Sequence, residues 1–448
     1  MRRKSGGKAT WKRYENTVIA AEISSLTRFA GRTLQIFPVP HESGLILSAV
    51  NSPAKAMIPG RGRIPDCSGE RNRTTVFLLN GSFNHSRDIQ GMLAGLRKKC
   101  SRTTRIVVVA YNPYWSWFYR AANKVGLRDM KGDLTFLTQT ELGHLGRLAG
   151  FEVARVKPAV YFPFRLLGLG SLLNWVLPAV PLARWLSYAS IITLRPVIAE
   201  NRRPSLSVVI PARNERGNIA PAIARLAPPA GCRMEVLFVE GGSNDGTWEE
   251  IRRVCARGSR HRGVTLRAFK QTGRGKNDAV RLGFSRARGD LLTILDADLT
   301  VPPELLSRFY NAYCAGLADF INGSRLVYPQ EGEAMRPLNL LGNIFFAKAL
   351  SHVLDLRLGD SLCGTKLLSR HDYQRVVAWR KVFGDFDPFG DFELLFASAI
   401  LGLGLADVPI AYKARTYGAT NISRFRDGWT LLKMTITGLL RIKTGRIP

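Results

Sequence analysis

Apolar runs alternate with amphipathic segments from residue 74 onward. Between residues 74 and 198, four runs predict strands, TVFLLNGSF, RIVVVAYN, FEVARVKPAVYF and SYASIITLRPV. The segments RDIQGMLAGLRKKC and LTQTELGHLGRLAGF have the apolar spacing of helices. Thr138, with Glu141 three residues later, has the pattern of a capping box at the start of the second helix. This order of elements predicts the second half of an open α/β sheet.

A second alternating pattern follows the charged, proline-containing segment ENRRPSL. Strands are predicted at LSVVIP, MEVLFVE, VTLRAF and DLLTILDAD, and helices at GNIAPAIARL, DGTWEEIRRVCA, KNDAVRLGFSRA and PPELLSRFYNAY. These strands are almost continuously apolar, so the sheet should be mostly parallel and covered on both faces. Functional groups in such sheets lie in loops after the strands, which here are PARNER, EGGSNDGT and DADLT.

Residues 1–70 show no sustained hydrophobic period and are rich in Arg, Gly, Pro and Ser. We expect a poorly ordered basic leader there, without the apolar region of a signal peptide. The sequence therefore predicts three parts: the leader at residues 1–70, one α/β domain at residues 71–200 and another at residues 204–448.

The formal net charge of +31 requires an anionic partner, which is a nucleic acid, an anionic membrane surface or a phosphorylated substrate. Residues 1–203 hold 31 basic and 11 acidic residues, a balance of +20, and residues 204–448 hold 34 and 23, a balance of +11. No zinc-finger, RRM or aromatic–basic signature is present, so a nucleic acid is not the expected partner. The six cysteines form no CxxC pair, which fits a reducing compartment.

The longest uncharged run is LLGLGSLLNWVLPAVPLA at residues 166–183, which contains two glycines and two prolines. A membrane span needs about 20 apolar residues, so we expect a buried or interfacial loop-and-helix segment instead. Two further apolar stretches, LNLLGNIFFAKALSHVL and WTLLKMTITGLLRIKTGR, fit either core helices or helices that lie on a lipid surface.

Asp296 and Asp298 follow a hydrophobic strand and lie two residues apart. In an extended strand both side chains would point to one side and could grip one Mg²⁺ or Mn²⁺ ion. An exposed acidic turn is the alternative interpretation. Glu240 ends another strand and precedes Gly241 and Gly242, which permit close approach of a nucleotide to the backbone. Lys276, in TGRGKNDAV, is suited to phosphates, although the segment is not a P-loop.

These motifs together carry a resemblance that covers about residues 204–440. The segments LSVVIPARNERGNI, VEGGSNDGT, GRGKNDAVRLGFSRARGDLLTILDADLTVPPE, INGSR, GDSLCGTKLLSR, FGDFELL and RTYGATNISRF occur in that order. They resemble the family 2 glycosyltransferases of GT-A fold, and within it the dolichyl- or polyprenyl-phosphate mannosyl- and glucosyltransferases. The resemblance implies inverting transfer from a nucleotide-diphosphate sugar to a polyprenyl-phosphate, glycolipid or polysaccharide acceptor, with Mg²⁺ or Mn²⁺ on the diphosphate.

The resemblance also implies roles for individual residues. Asp296 would contact the nucleotide side of the site, and Asp298 would ligate the metal. Arg213 and Glu240-Gly241 stand where the family usually has Tyr and Asp-Asp, which leaves the base of the donor open. The residues expected to bind the donor are Pro211, Arg213, Glu215, Glu240, Gly242, Lys276 and Asp296.

At the acceptor end, basic residues are expected to hold the acceptor phosphate and the donor diphosphate. A phosphate monoester is ionised near neutral pH and needs no general base, whereas a sugar hydroxyl does. Asp391 or Glu393 would be that base, and an ordinary structural role for Glu393 is equally open. The expected acceptor and diphosphate residues are Arg325, Lys366, Arg415, Asn421 and Arg424.

Residues 74–198 resemble the second half of a class I S-adenosylmethionine-dependent methyltransferase, a partial Rossmann-like domain. VFLLNGSFNHSRDIQGML is similar to its fourth strand and helix, RIVVVAYN to the fifth strand, LGRLAGFEVARV to the start of the sixth and IITLRPV to the closing strand. Residues 1–70 offer no Gly-rich loop behind a hydrophobic strand, so we expect a truncated domain without activity.

The combined resemblance implies bacterial polysaccharide or glycolipid assembly at the cytoplasmic face of the cell membrane, by a protein in peripheral contact with anionic lipid. Two alternatives are an active methyltransferase in the first half and a basic nucleic-acid-binding protein. The sequence leaves the sugar, the nucleotide base, the acceptor and the oligomeric state open.

Overall fold

A computed structural model describes residues 5–37, 44–60, 62–124, 135–329, 337–418 and 424–445. In these ranges the strands form a six-stranded sheet in the first half of the chain and a seven-stranded sheet in the second half. Helices cover both sheets, and buried apolar clusters lie on both faces of each sheet. The expected class, mixed α/β with mostly parallel sheets, is confirmed.

The first sheet has the order β2-β1-β3-β4-β6-β5, in which β6 runs antiparallel to both of its neighbours and the other pairs are parallel. Its strands are β1 (Arg32–Ile36), β2 (Lys55–Ile58), β3 (Thr75–Asn80), β4 (Arg105–Tyr111), β5 (Phe151–Val160) and β6 (Ala189–Pro196). The helices of this half are α1 (Ser5–Thr27), α2 (Leu45–Ala49), α3 (Ser82–His85), α4 (Ile89–Arg97), α5 (Ser116–Lys124), α6 (Gln139–Leu148) and α7 (Leu169–Val176).

The expectation of a poorly ordered leader at residues 1–70 is wrong. β1 pairs with β3, where Leu34 lies opposite Phe77, and β2 pairs with β1. α1 buries Ile19 and Ile23 in the core on one face of this sheet. β1 and β2 have only five and four residues, too few for a period to stand out. Their stability comes from pairing with β3, which no local pattern reports.

The capping box that the sequence predicts for α6 is present and confirms the start of that helix. The Thr138 backbone N–H donates to Glu141 Oε2 at 2.7 Å, and the Glu141 backbone N–H donates to Thr138 Oγ1 at 3.2 Å. Because α6 begins at this fixed point, its apolar side packs on one face of the first sheet through Leu142.

The second sheet has the order β13-β11-β12-β10-β7-β8-β9, in which β12 is antiparallel to β10 and β11 and the other pairs are parallel. Its strands are β7 (Leu206–Ala212), β8 (Met234–Glu240), β9 (Val264–Lys270), β10 (Leu291–Ile294), β11 (Phe320–Ser324), β12 (Lys366–Ser369) and β13 (Leu405–Pro409). The helices are α8 (Arg216–Arg225), α9 (Thr247–Arg257), α10 (Gly275–Arg286), α11 (Leu306–Cys314), α12 (Pro337–Leu354), α13 (Arg370–Phe383), α14 (Asp391–Ile400) and α15 (Arg424–Gly438), which continues as a π-helical turn at Leu439–Lys443.

The two halves pack directly against each other through charged side chains that bind backbone carbonyls. Arg102, just before β4, donates to the carbonyl oxygens of Tyr313 at 2.8 Å and Ala318 at 2.7 Å. Arg155 of β5 donates to the carbonyl oxygen of Leu354 at 3.0 Å. A guanidinium group that satisfies carbonyls of the opposite half fixes the two sheets relative to each other.

The uncharged run at residues 166–183 forms short helical turns, as the sequence predicts. α7 is flanked by 3₁₀ turns at Leu166–Gly168, Leu177–Ala179 and Pro181–Leu186. Many apolar side chains of this run are exposed to solvent. Across the described ranges, none of the helices is both long enough and apolar enough to span a bilayer. α12 and α15 each bury one side in the core, through Leu350 and Met434, and expose apolar side chains on the other.

Candidate active site

Asp296 and Asp298 lie in a turn after β10 and not in an extended strand. β10 ends at Ile294, and Leu299 has a φ of 57°. The two carboxylates therefore bind different cations. Lys276 Nζ lies 2.6 Å from Asp296 Oδ1, and Arg415 Nη2 lies 2.7 Å from Asp298 Oδ2. The extended geometry, in which both carboxylates would bind one metal ion, is thus replaced by two adjacent ion pairs with different side chains.

Neighbouring charges shift the pKa values of both members of the Lys276–Asp296 pair. Burial by itself would lower the pKa of Lys276, but the charges of Asp296 and Asp391 outweigh it and raise that pKa above its usual value. Burial would likewise raise the pKa of Asp296, but Lys276, Lys366 and Arg325 lower it. Three cationic side chains and the Asp296 carboxylate, whose pKa is lowered, thus face one point near the carboxyl end of β10.

Gly364 closes this point from the side of β12. A Cβ atom on Gly364 would lie 2.3 Å from Asp296 Oδ2 and 2.3 Å from Lys276 Nζ. A side chain at this position would therefore push apart the ion pair. Gly364 lies in the segment GDSLCGTKLLSR, but only the tertiary contact shows why this position must be small.

Asp298 and Glu215 are joined by Arg415. The guanidinium of Arg415 binds Asp298 and also Glu215 Oε1, at 3.0 Å. Thr300 donates to Asp298 Oδ1 from its hydroxyl at 2.8 Å and from its backbone N–H at 3.2 Å. Burial raises the pKa of Glu215 above its usual value, against the opposing effect of Asn218 and Arg415. Arg415, expected at the acceptor end, thus links two residues of the expected donor end.

The loops after β7 and β8 lie against each other, as the expected donor pocket requires. The backbone N–H of Gly241 donates to the carbonyl oxygen of Ala212 at 3.0 Å. Glu240 is buried at the end of β8 and accepts a hydrogen bond from the Ser243 backbone N–H. Pro211 is the penultimate residue of β7, and Arg213 is exposed just beyond it.

Gly242 has a φ of 73°, a backbone conformation that favours glycine. A Cβ atom at this position would meet no atom within 4 Å. The loop is therefore open on that side, and the backbone itself forms the surface that a ligand would approach.

Arg325 and Lys366 lie in the β11–β12 region and are bound to carboxylates. Arg325 makes two bonds to Asp360, from Nε at 2.7 Å and from Nη2 at 2.9 Å. Lys366 is fully buried and lies 2.7 Å from Asp391 Oδ1. Both cations act electrostatically on Asp296, which places them around the same point.

Glu393 is held between two arginines and lies at the start of α14. Arg380 Nη1 lies 2.8 Å from Glu393 Oε1, and Arg281 binds Oε2. Its backbone N–H donates to Asp387 Oδ2 at 2.8 Å. Burial is the main cause that raises the pKa of Asp387 to about 6. Asp387 and Arg281 were not singled out from the sequence; the acidic run GDFDPFGDFE is the only signal for Asp387.

Two expected acceptor residues cannot be placed as side chains. Asn421 lies outside the described residues, and Arg424 is described only as the first residue of α15. Eight of the remaining expected residues form two groups that are linked by ion pairs or electrostatic interactions. Lys276, Asp296, Arg325, Lys366 and Asp391 form one group, and Glu215, Asp298 and Arg415 form the other.

The donor set fits a cation that also binds substrate. Within the described ranges, no three His, Cys, Asp or Glu side chains converge to hold a metal. Asp296 and Asp298 offer carboxylates from one turn, and Mg²⁺ commonly takes one or two carboxylates plus substrate phosphates. The site therefore suits Mg²⁺ or Mn²⁺ bound together with a diphosphate, and does not provide an all-protein metal cage.

Comparison with known proteins gives similarities in the second half. Residues 207–377 match the family described as Glycosyl transferase family 2. The chain is 29% identical to a dolichol-phosphate mannosyltransferase of Pyrococcus furiosus over 224 residues, which are 48% of this chain and 59% of that protein. It is 29% identical to a dolichyl-phosphate hexose transferase of Haloferax volcanii over 231 residues, which are 52% of this chain and 92% of that protein.

Among solved structures, glucosyl-3-phosphoglycerate synthase from Mycobacterium tuberculosis, in complex with Mn²⁺, UDP and glucosyl-3-phosphoglycerate, aligns with 55% of this chain and 81% of its own. Its sequence identity is 19% and the TM-score is 0.37. The chain spans 40% to 59% of the length of the first three curated relatives. The family match coincides with the strands and loops that hold Glu215, Glu240, Lys276 and the Asp296–Asp298 turn. Residues 207–377 of the chain are thus similar to the glycosyl transferase family 2 domain.

Proposed function

We propose that this chain is an inverting glycosyltransferase. It moves a hexose from a nucleotide-diphosphate sugar to a polyprenyl-phosphate acceptor, or to a glycolipid or polysaccharide. The observation that carries this is the ion pair of Lys276 and Asp296 with Arg325 and Lys366 around it, inside a family 2 domain. Such a cluster of cations suits two phosphorylated substrates in one site.

The donor occupies the loops after β7 and β8 in this proposal. Pro211, Arg213, Glu215 and Glu240 flank the nucleoside, and the open backbone at Gly242 admits it. Lys276 then reaches the diphosphate, because it lies in the first turn of α10, where the free backbone N–H groups also favour anions. Arg213 and Glu240-Gly241 stand where the family usually has Tyr and Asp-Asp, so the proposal assigns no nucleotide base to the donor.

Attack by the acceptor phosphate needs no general base. A phosphate monoester has a second pKa of about 6 and carries its own nucleophilic oxyanion near neutral pH. Arg325 orients this phosphate, and the positive charge of the buried Lys366 helps to neutralise it from a distance, which leaves Asp391 and Glu393 as partners in ion pairs. Positioning and charge neutralisation then carry the catalysis. A sugar hydroxyl acceptor would instead require one of these carboxylates to take its proton.

Asp298 holds the divalent cation, with Asp296 beside it. The cation supplies charge neutralisation on the leaving diphosphate. In this structure Arg415 binds Asp298 and Glu215. In the proposal it moves away from both carboxylates when the cation and the diphosphate bind. Its guanidinium then becomes available to the diphosphate.

The first half serves as a methyltransferase-like scaffold without a cofactor site. Its sheet order, with antiparallel β6 between β4 and β5, supports the assignment of β6 as the closing strand. β1 supplies a strand before β3 but is followed by FPVPHESG, which is not a Gly-rich loop. The segment PGRGR begins after β2, but the first three residues of β2 are exposed, so this segment does not follow a buried hydrophobic strand. With a polyprenyl acceptor, the protein works at the cytoplasmic face of a bacterial membrane.

Donor binding tests the proposal. Isothermal titration with UDP- and GDP-sugars in Mn²⁺ should give binding that Asp298→Asn reduces at least tenfold. Glu250→Gln, which removes an ion pair to the exposed Arg253 on α9, is the matched control and should bind as the unchanged protein does. Absence of donor binding with every metal tested would sink the proposal, and equal binding with and without metal would remove Asp298 from its assigned role.

A further inference from the structure

An apolar strap, residues 166–186, lies on the surface of the first half. Leu167 is 109% exposed, Leu182 is 81% exposed and Trp185 is 62% exposed. No charged residue occurs between residues 166 and 183. Contiguous exposed apolar surface of this kind marks a binding surface, because the contact of apolar side chains with water is unfavourable.

The strap is held in a fixed shape. Asn174 Oδ1 accepts from the backbone N–H groups of Tyr161 at 2.7 Å and Phe162 at 2.9 Å, and its Nδ2 donates to the Phe162 carbonyl at 2.8 Å. A Cβ atom on Gly170 would lie 1.7 Å from the Phe164 carbonyl oxygen. The backbone is thus packed and hydrogen-bonded while the leucines point outward, so their exposure is a built feature.

The strap continues into neighbouring elements of both halves. The rings of Tyr114 and Trp185 lie 6.2 Å apart, and Tyr114 is itself exposed. On the other side, His352 Nε2 of α12 lies 3.1 Å from the carbonyl oxygen of Ala179. The strap therefore borders α12, whose partner in packing is α15.

α12 and α15 carry the surface onward. Leu341 and Phe345, one helical turn apart, are exposed on α12, and Phe425 and Trp429 have the same spacing and exposure on α15. α15 follows the segment that brings Arg415 to Asp298. The apolar surface therefore extends from the first half onto α12 and α15 of the second half.

Charge decides what covers this surface. Arg165 and Arg184 are exposed at the two ends of the strap, and Lys348 and Lys433 are exposed on α12 and α15. The chain carries +31 overall. A second copy would bring like charge against like charge, whereas an anionic bilayer offers apolar depth and negative headgroups together.

We propose that the apolar strap and the exposed sides of α12 and α15 form one docking surface for an anionic lipid bilayer. The first half then acts as a membrane-docking platform for the glycosyltransferase domain. The proposal deepens the proposed function, on which it rests for the membrane-bound acceptor, but the docking can be measured without any sugar transfer.

Co-sedimentation of the full chain with vesicles tests the docking. Binding to phosphatidylcholine vesicles that contain phosphatidylglycerol should fall at least tenfold in the triple variant Leu167→Ser, Leu182→Ser, Trp185→Ser. Leu148→Ser is the matched control, since Leu148 is exposed at the end of α6, where the chain packs on the other face of the sheet. Arg165→Gln with Arg184→Gln should weaken binding to the anionic vesicles only, by about fivefold for each residue.

Each outcome decides between the possibilities. The triple variant must keep the thermal unfolding midpoint and the solution donor binding of the unchanged protein, which shows that it folds. Equal vesicle binding by the triple variant and Leu148→Ser overturns the docking surface, as does a dimer of the unchanged protein that the triple variant abolishes. Vesicle binding without donor binding in solution leaves the docking intact and overturns the glycosyltransferase proposal, and the reverse result overturns the docking alone.

Discussion

Arg105 of β4 binds Asp319, the residue before β11, with 2.7 Å between Nη2 and Oδ2. The pair joins the two halves of the chain, and the side chains are only 1% and 3% exposed. Arg102 and Arg195 lie 3.4 Å and 3.8 Å from Oδ1 of the same carboxylate. Burial alone would raise the pKa of Asp319, but Arg105, Arg195 and Arg102 together lower it. The first half therefore supplies the counter-charges of a buried carboxylate in the glycosyltransferase domain.

Asp319→Asn should lower the free energy of unfolding by about 3–5 kcal/mol, because it removes the buried carboxylate that Arg105, Arg102 and Arg195 share. Chemical denaturation of the full chain measures this. Asp66→Asn removes a carboxylate that is 58% exposed and 3.7 Å from Lys99, and it should leave the unfolding midpoint unchanged. Similar losses in the two variants would contradict a special role for the Asp319 cluster.

The same pair should make stability depend on acid pH. A carboxylate whose pKa is lowered on folding stabilises the protein above the unfolded value of about 3.9, and the contribution is lost as pH falls through the lowered folded pKa. The stability difference between the unchanged protein and Asp319→Asn should therefore be constant above about pH 5 and shrink below about pH 4. Denaturation midpoints measured from above pH 5 to below pH 4 test this, and a difference that grows with acid would refute the assigned sign.

Gly364→Ala should weaken donor binding at least tenfold, since its Cβ would lie 2.3 Å from both Lys276 Nζ and Asp296 Oδ2. Titration with the donor that binds the unchanged protein measures this effect. Gly95→Ala is the control, because a Cβ there meets no atom within 4 Å. If Gly364→Ala binds the donor as Gly95→Ala does, the ion pair does not form part of the donor site.

Glu393→Gln separates a structural role from that of a general base. Removing the charge leaves Arg281 and Arg380 without their shared partner and should cost about 3 kcal/mol of stability. Transfer to a phosphate acceptor, measured below the unfolding midpoint, should stay within about threefold, since that acceptor needs no base. A loss of kcat of about 100-fold or more, with stability unchanged, would instead assign proton abstraction to Glu393.

Binding of S-adenosylmethionine tests the scaffold role of the first half. Calorimetry with the full chain should detect no binding, because β1 is not followed by the glycine-rich backbone that approaches the cofactor. The donor sugar, titrated in the same preparation, controls for folding. Saturable binding of S-adenosylmethionine would instead favour an active methyltransferase domain.

Much of the fold could be predicted because its signals are local. The apolar runs of β3 to β8 and the capping box at Thr138 lie within a few residues of the elements that they define. β1 and β2 were missed for the opposite reason. They are short, and β2 is mostly exposed, so their stability depends on pairing with a strand that is distant in sequence.

The candidate site divides in the same way. The sequence placed Asp296 and Asp298 after a strand and Lys276 in a glycine-flanked segment, because residue type and local spacing suffice for that. It did not give their partners. Arg415 lies 117 residues from Asp298, and the small size needed at Gly364 comes from the Lys276–Asp296 pair beside it.

By itself, the sequence determined the order of most strands and helices between residues 74 and 314, the loops that carry the chemistry and the large positive charge. Only the tertiary structure showed that Asp296 and Asp298 form ion pairs with two different side chains, Lys276 and Arg415. It also showed that Glu393 lies between two arginines and that the first half supplies the positive charges around Asp319. The physical reason is range. Propensity and periodicity act over a few residues, whereas an ion pair or a buried charge is set by groups that meet only when the chain has folded.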